Sequence, residues 1–224
     1  MEIHKLGDFV SDAKGEASLK ITDIRQAVKN ENRVNIFVNG EYSFSLDVAQ
    51  VVDLGVKKGL VVSEERLAEF KKASEFGKLY QRALEWVLVR PRSTRETRDY
   101  LCRKVREKKL DSNYIDEIID KLTSKKYLED EKFTQYYVEN RFVKKGISSK
   151  RLKMELMKKG ISHEVIERVM SETGRNDEDE IRKMIMKKRG RYDDEKLIQY
   201  LCRQGFQFEM VRNLVHEMDL QNLE

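Results

Sequence analysis

The stretch SKRLKMELMKKGISHEVIERVM, residues 149–170, decides the fold of this chain. Its apolar residues recur every three or four positions, which is the period of one face of an α-helix. Gly160 interrupts the pattern where a helix would end, because glycine adopts the left-handed conformation that follows a helix C-terminus. The stretch therefore predicts two short amphipathic helices joined by a tight turn.

The same pattern occurs at two other places in the chain. DEKLIQYLCRQGFQFEMVRNL, residues 194–214, repeats it with Gly205 in place of Gly160. An earlier copy starts with TRETRDYL, ending at Leu101, and matches if it carries four additional residues, about one helical turn. An amphipathic helix precedes the first two copies, and a less regular one precedes the third. Tandem repeats of three helices are therefore predicted, and stacked repeats of this kind form an elongated, curved solenoid.

The chain before residue 63 has a different character. SLKITDIRQAVKN and RVNIFVNGEYSFSL are rich in β-branched and aromatic residues with partial alternation, which is typical of strands. Asn39 and Gly40 separate two such runs, and this pair supplies the positive φ angles of a type I′ hairpin turn. We expect a small antiparallel β segment here, followed by a helix that Ser63 caps.

The predicted fold class is mainly α, with tandem three-helix repeats after a small N-terminal antiparallel β segment. Ser93-Thr94-Arg95-Glu96 has the sequence of a capping box and starts the second helix of repeat 1. The expected organisation is a loose lead-in at 1–17, a small β-rich domain at 18–62, a linker helix with repeat 1 at 63–128, repeat 2 at 129–176 and repeat 3 at 177–224.

Composition favours a thin, modular core and a polyanionic partner. Apolar residues make up 39% and charged residues 38% of the chain, against about 45–50% and 25% in typical domains. The formal net charge of +5 divides into −2 for residues 1–75 and +7 for residues 76–224. The N-terminus lacks the apolar core of a signal peptide. With two cysteines and no membrane-length apolar run, a cytoplasmic protein without a membrane partner is expected.

No constellation of catalytic or metal-binding residues is recognisable in the sequence. His4, His163 and His216 lie far apart, and no phosphate-binding glycine loop is present. The acidic run Glu129-Asp130-Glu131 is better interpreted as a helix start, with Asp130 capping that helix, than as a metal site. We therefore expect no catalytic residue, no metal, no cofactor and no enzymatic activity.

Basic residues cluster where the first and second helices of each repeat meet. If the repeats stack, these clusters form an interrupted basic stripe, suited to a phosphate backbone or an acidic protein groove. Cations also gather at helix C-termini, which explains part of the pattern. No aromatic residues interleave the clusters in the sequence, so base-specific recognition is not expected. The predicted contact residues are Arg90, Arg92, Arg95, Arg141, Lys144, Lys145, Arg151, Lys187, Lys188 and Arg191.

Four segments, in order, resemble the RecX family. They are RALEWVLVRPRSTRETRDYLCRKV, IIDKLTSKKYLEDEKFTQYYVENR, GISSKRLKMELMKKGI and LIQYLCRQGFQFEMVRNLV. The resemblance implies a regulator of the RecA recombinase that acts in homologous recombination, DNA repair and the SOS response, and we expect a monomer. Such a protein binds along the groove of the RecA–DNA nucleoprotein filament and hinders ATP hydrolysis, strand exchange and co-protease activity by blocking or capping filament growth. Direct contact with single- or double-stranded DNA is compatible with this resemblance.

Two other interpretations remain open at this point. One is a basic helical DNA-binding protein without a filament partner, which would bind bare DNA tightly at moderate salt. The other is a protein-interaction scaffold, whose binding would show no dependence on DNA.

Overall fold

The computed structural model describes residues 18–28, 30–144 and 146–220, with the backbone alone at 141–144 and 219–220. The predicted lead-in at 1–17 lies outside the described residues. The strands are β1 Leu19–Ala27, β2 Asn30–Val38, β3 Glu41–Asp47 and β4 Val61–Val62. The helices are α1 Val48–Asp53, α2 Glu64–Leu88, α3 Thr94–Lys108, α4 Tyr114–Ser124, α5 Asp130–Lys144, α6 Ser149–Lys158, α7 His163–Glu172, α8 Asp177–Lys188, α9 Asp194–Arg203 and α10 Phe208–Leu220.

The chain forms two compact units that divide between Gln81 and Arg82. The first contains a four-stranded antiparallel sheet of order β3-β2-β1-β4. Asn39 and Gly40, between β2 and β3, have φ angles of 51° and 91°. Both values are positive, as a type I′ turn requires, so the predicted hairpin is confirmed.

The core of the first unit lies between the sheet and the N-terminal part of α2. Ile21, Ile36 and Leu46 of the sheet are fully buried and belong to one apolar cluster with Phe70 of α2. Burial on one face fixes the register of the strands, because a slip by one residue would turn these side chains to solvent. The Ser63 Oγ accepts a hydrogen bond from the Arg66 N–H at 3.2 Å, as expected of a cap before α2.

Helix α1 was not predicted from the sequence. Its six residues are too few to show a helical period. A capping box starts the helix: the Gln50 N–H donates to Asp47 Oδ1 at 2.7 Å, and the Asp47 N–H donates to Gln50 Oε1 at 3.1 Å. Local capping chemistry thus specifies this helix where periodicity cannot.

The second unit consists of helices that pack in consecutive groups of three. The group α5–α7 encloses one apolar cluster and the group α8–α10 encloses another. Leu101, Leu156 and Leu201, which hold the same position in the three copies, are each 0% exposed. The mainly α fold with tandem three-helix repeats and an N-terminal antiparallel sheet is therefore confirmed. The residue boundaries assigned to the repeats stay predictions.

The second helix of each repeat ends as the sequence indicates. Gly160 and Gly205 follow α6 and α9 with φ angles of 82° and 94°, the left-handed conformation that closes a helix C-terminus. Helix α3 has 15 residues and α6 and α9 have 10 each, so the first copy does contain an additional turn. It ends at Lys109, which is left-handed as well, with φ 53°.

Candidate functional site

Repeat 1 is joined to repeat 2 at the N-terminus of α3. The Thr94 N–H donates to Asp130 Oδ1 at 2.7 Å. The Ser93 Oγ accepts from the Glu96 N–H at 3.0 Å and donates to the Lys159 carbonyl oxygen at 2.8 Å. The expectation that Asp130 caps its own helix is wrong, because Asp130 is the first residue of α5 and its carboxylate caps α3 of the preceding repeat.

Repeat 2 is joined to repeat 3 by the same arrangement. The Ser149 N–H and Oγ both donate to Asp177 Oδ1, at 2.8 and 2.7 Å. The Ser148 N–H donates to the Gln204 carbonyl oxygen at 3.1 Å. Each junction therefore uses a carboxylate from the first residue of the next repeat's first helix and a carbonyl from the end of that repeat's second helix. Repeated in this way, the junctions hold successive second helices at matching positions.

The glycines that end α6 and α9 lie against the preceding repeat. A Cβ added at Gly160 would be 2.7 Å from the Cβ of Arg95, and one at Gly205 would be 2.6 Å from the Oγ of Ser148. Both distances are shorter than side chains tolerate without displacement. Glycine is thus required here for close packing of the repeats as well as for a positive φ angle.

Removing the carboxylate of the second junction is expected to destabilise the protein. In Asp177→Ala, the backbone and hydroxyl donors of Ser149 lose their acceptor in a partly buried place. Loss of such acceptors costs about 1–3 kcal/mol of the free energy of unfolding. Urea denaturation monitored by circular dichroism measures this loss.

Asp116→Ala is the matched control for that measurement. The Asp116 carboxylate is 69% exposed and pairs with Arg98 at 2.7 Å. An exposed ion pair contributes only about 0–1 kcal/mol, so this variant should remain close to the parent protein. Equal losses for the two variants would contradict the role given to Asp177.

Two of the predicted contact residues have side chains that form hydrogen bonds within the chain. The Arg151 guanidinium donates to the carbonyl oxygen of Arg203 at 2.7 Å, across the second junction. The Arg90 guanidinium donates to the Pro91 carbonyl at 2.8 Å and lies 3.5 Å from Glu96. The contact that the structure gives Arg151 is therefore structural, and a partner would have to compete for Arg90.

Three other predicted contact residues point into solvent. Arg95, Lys187 and Arg191 are exposed. None of their side chains forms a hydrogen bond or ion pair with the rest of the described chain. The side chains of Arg141, Lys144 and Lys145 lie outside the described residues. The basic stripe across the repeats stays a prediction, with Arg95, Lys187 and Arg191 as its accessible members.

Arg92 belongs to a stack of aromatic and cationic side chains in repeat 1. Its guanidinium carbon lies 4.0 Å from the centroid of the Trp86 ring. The rings of Trp86 and Tyr100 are stacked, with centroids 4.6 Å apart and planes 6° apart. Burial lowers the pKa of Arg92 from its usual value, although arginine remains charged in proteins. The interpretation that aromatics do not accompany the basic clusters is therefore wrong for repeat 1.

Repeat 3 contains a second stack of the same kind. The rings of Tyr192 and Tyr200 are 5.8 Å apart and within 15° of parallel. The Lys188 Nζ lies 5.4 Å from the Tyr200 ring centroid and 5.9 Å from that of Tyr192. Tyr200 directly precedes Leu201, as Tyr100 precedes Leu101. This shared position is a sequence signal for the two tyrosines, but it does not identify the residues that stack on them.

The described residues contain neither a cluster of potential metal ligands nor a helix suited to span a membrane. Over 18–28, 30–144 and 146–220, no three His, Cys, Asp or Glu side chains are grouped so that they could hold a metal ion. Among the helices of those same ranges, none combines the length and apolar character needed to cross a membrane.

Comparisons with known proteins agree with this architecture. Residues 19–63 match the family described as Regulatory protein RecX N-terminal domain, and residues 130–170 match RecX, second three-helix domain. Regulatory protein RecX of Bacillus licheniformis is 30% identical over 210 residues, which cover 90% of this chain and 78% of that protein. Regulatory protein RecX of Bacillus subtilis strain 168 is 30% identical over 214 residues, covering 91% and 79%.

A solved structure shows the same fold. The crystal structure of regulatory protein RecX superposes with a TM-score of 0.66 at 21% identity, covering 87% of this chain and 99% of that one. Sequence identity with the Bacillus proteins extends through both the β segment and the three-helix repeats. The chain therefore belongs to the RecX family of regulatory proteins.

Proposed function

We propose that this protein is a negative regulator of the RecA recombinase. In this proposal it binds in the groove of the RecA–DNA filament and inhibits ATP hydrolysis, strand exchange and co-protease activity by blocking or capping filament growth. Membership of a family of regulatory proteins supports a regulatory role. The resemblance of four ordered segments to that family supports RecA as the partner.

The repeated junction is the observation that carries the proposal. A filament presents identical subunits at a regular spacing, so a partner with modules at fixed spacing can bind several of them at once. The Thr94–Asp130 and Ser149–Asp177 hydrogen bonds join successive repeats in the same way. Linked modules bind with a higher apparent affinity than any one of them alone, provided that their geometry allows simultaneous contact.

The exposed cations supply contacts that are individually weak. Arg95 lies on repeat 1, and Lys187 and Arg191 lie on repeat 3. An exposed ion pair is worth about 0–1 kcal/mol, so one such contact would not hold a filament. Contacts from several fixed repeats act together, and their charge also accelerates encounter with a polyanion in a salt-dependent manner.

The direct test is DNA-dependent ATP hydrolysis by RecA, measured while this protein is added in substoichiometric amounts. Strong inhibition well below one copy per RecA is the expected result for capping. Inhibition near saturation would support coating of the groove. Unchanged hydrolysis would overturn the proposal, in favour of a DNA-binding protein if bare DNA is bound and of a scaffold if it is not.

A further inference from the structure

Trp86 lines a surface cavity of about 480 Å³, and Tyr100 stacks on its ring without lining that cavity itself. This volume is within the range of about 300–1,000 Å³ found for small-molecule sites. The lining residues are Trp86, Arg92, Glu96, Asp99, Cys102, Arg103 and Arg106. One wall is thus aromatic, and the remainder combines three arginines with two carboxylates.

The lining of this cavity carries a net positive charge, because its three arginines outnumber its two carboxylates. The carboxylate of Glu96 already accepts a hydrogen bond from Lys159 Nζ at 2.6 Å and lies 3.5 Å from Arg90. Within the described part of the chain, the Arg92 Nε is buried and has no hydrogen-bond partner. A ligand that offers a planar ring and an anionic oxygen would satisfy both the indole wall and the guanidinium groups.

The four stacked rings lie at the edge of the core, and those of Tyr192 and Tyr200 pack against the apolar cluster of repeat 3. Trp86, Tyr100, Tyr192 and Tyr200 are all partly exposed, while the leucine beside each stacked tyrosine is fully buried. Repeat 2 has Glu155 where the others have Tyr100 and Tyr200. The Glu155 carboxylate accepts a hydrogen bond from the Tyr137 hydroxyl at 2.9 Å. The fold therefore does not need an aromatic side chain at this position.

We propose that the cavity beside Trp86 and Tyr100 binds an unpaired base and an adjoining phosphate of single-stranded DNA, with the Tyr192–Tyr200–Lys188 stack as a second such site. Bases stack on aromatic rings and on arginine guanidinium planes. The Arg92 guanidinium can move off the indole ring so that a base stacks there. It can then stack on that base or bind the adjoining phosphate. This inference deepens the proposed function, because it assigns residues to DNA contact within the filament. Only its biological setting rests on the proposed function, since binding of single-stranded DNA can be measured without RecA.

Stacking does not require base-specific recognition, although the aromatic residues on which it depends were not expected from the sequence. Every base has an aromatic face, so a stacking site tolerates any sequence. The cavity is lined by side chains suited to a ring and a phosphate, whereas bidentate base pairing in a duplex groove requires a different arrangement. Single strands with unstacked bases are therefore the form of DNA that these sites would select.

Trp86 is the single tryptophan of the chain, so its fluorescence reports on this cavity alone. The full chain is titrated at constant salt with oligothymidylate and with an abasic oligomer of equal length and charge. We expect quenching by oligothymidylate and little quenching by the abasic oligomer. Equal quenching by both would overturn the inference, because it would show that phosphate alone accounts for the signal.

Tyr100→Leu tests the stack without removing the fluorophore. Loss of one stacking partner should weaken binding of oligothymidylate about 5- to 150-fold, whereas Tyr100→Phe should retain it. Tyr127→Leu is the matched control, because Tyr127 is 46% exposed, does not line this cavity and is not a member of the Trp86–Tyr100 stack. Unchanged affinity in a folded Tyr100→Leu protein would overturn the inference. Circular dichroism establishes folding, and Arg92→Ala, which leaves both rings in place, should weaken binding as well.

These measurements separate the inference from the proposed function. Base-dependent quenching without inhibition of RecA would support the DNA site and remove the regulatory proposal. Inhibition of RecA without base-dependent quenching would leave the regulator in place and remove the stacking site. Tyr200→Leu is expected to lower the affinity for oligothymidylate while preserving the quenching by the DNA that is bound, because its site is separate from Trp86.

Discussion

Replacing Gly160 and Gly205 together by alanine is expected to unfold much of the protein under conditions where the parent is stable. Each glycine has a positive φ angle, of 82° and 94°, and a left-handed conformation costs a residue with a Cβ about 1–2 kcal/mol. Overpacking a close contact adds about 1–3 kcal/mol. The two sites are in different junctions, so their effects should add and take up a large part of a typical stability of about 5–15 kcal/mol.

The contacts at the two glycines explain why the effect should be large. At Gly160 the new methyl group would meet the Arg95 side chain at its Cβ, 2.7 Å away, and this atom cannot move without its backbone. At Gly205 it would meet the Ser148 Oγ at 2.6 Å, the atom that caps α6 by accepting from the Arg151 N–H. Each substitution therefore pushes successive repeats apart or breaks a cap.

Two other glycines separate backbone strain from contact. Gly174 has φ 57° and nothing within 4 Å of an added Cβ, and Gly190 has neither a positive φ angle nor such a contact. Gly174→Ala should be destabilised by backbone strain alone. Gly190→Ala should have nearly the same free energy of unfolding as the parent. Urea denaturation of the single and double variants gives these values. If Gly205→Ala cost no more than Gly174→Ala, the repeats would not be held by close contact at that glycine.

The sequence predicts these glycines as helix ends but not their contact with the preceding repeat. Their positions follow from local periodicity, which also gives the hairpin at Asn39 and the additional turn of α3. Lys109 holds the equivalent left-handed place in the first copy with φ 53°, so conformation alone does not demand glycine. The second reason for glycine depends on residues more than 50 positions apart and becomes visible only when the repeats are stacked.

The candidate site divides in the same way between local and long-range features. The basic clusters could be predicted because charge is visible in composition and spacing. The Trp86–Tyr100 stack could not, because it joins two helices whose facing sides depend on the angle at which they pack. Arg151 was predicted to contact a partner, because the sequence does not show that its guanidinium donates to the Arg203 carbonyl across a junction. Charge reasoning therefore finds basic residues without distinguishing structural from accessible ones.

Reversing the charge of Arg95, Lys187 and Arg191 together is expected to weaken inhibition of RecA about 10- to 100-fold, since each lost exposed contact is worth up to about 1 kcal/mol and each new glutamate is repelled. All three side chains are exposed, and none forms a hydrogen bond or ion pair with another described residue; the Arg95 stem, which lies close to Gly160, stays largely in place when glutamate replaces arginine. The substitutions should therefore leave the fold intact. The measurement is the protein concentration that halves DNA-dependent ATP hydrolysis, together with its dependence on salt.

The control variant makes the same change in charge on the first unit, by substituting Lys20, Lys57 and Lys71, which are also exposed, with glutamate. If position matters, this variant should inhibit nearly as well as the parent, with a similar dependence on salt. Equal loss in both variants would mean that net charge alone attracts the protein to the filament, because long-range steering depends on total charge whereas contact depends on place. A selective loss in the first variant would instead assign the accessible cations of repeats 1 and 3 to the bound interface.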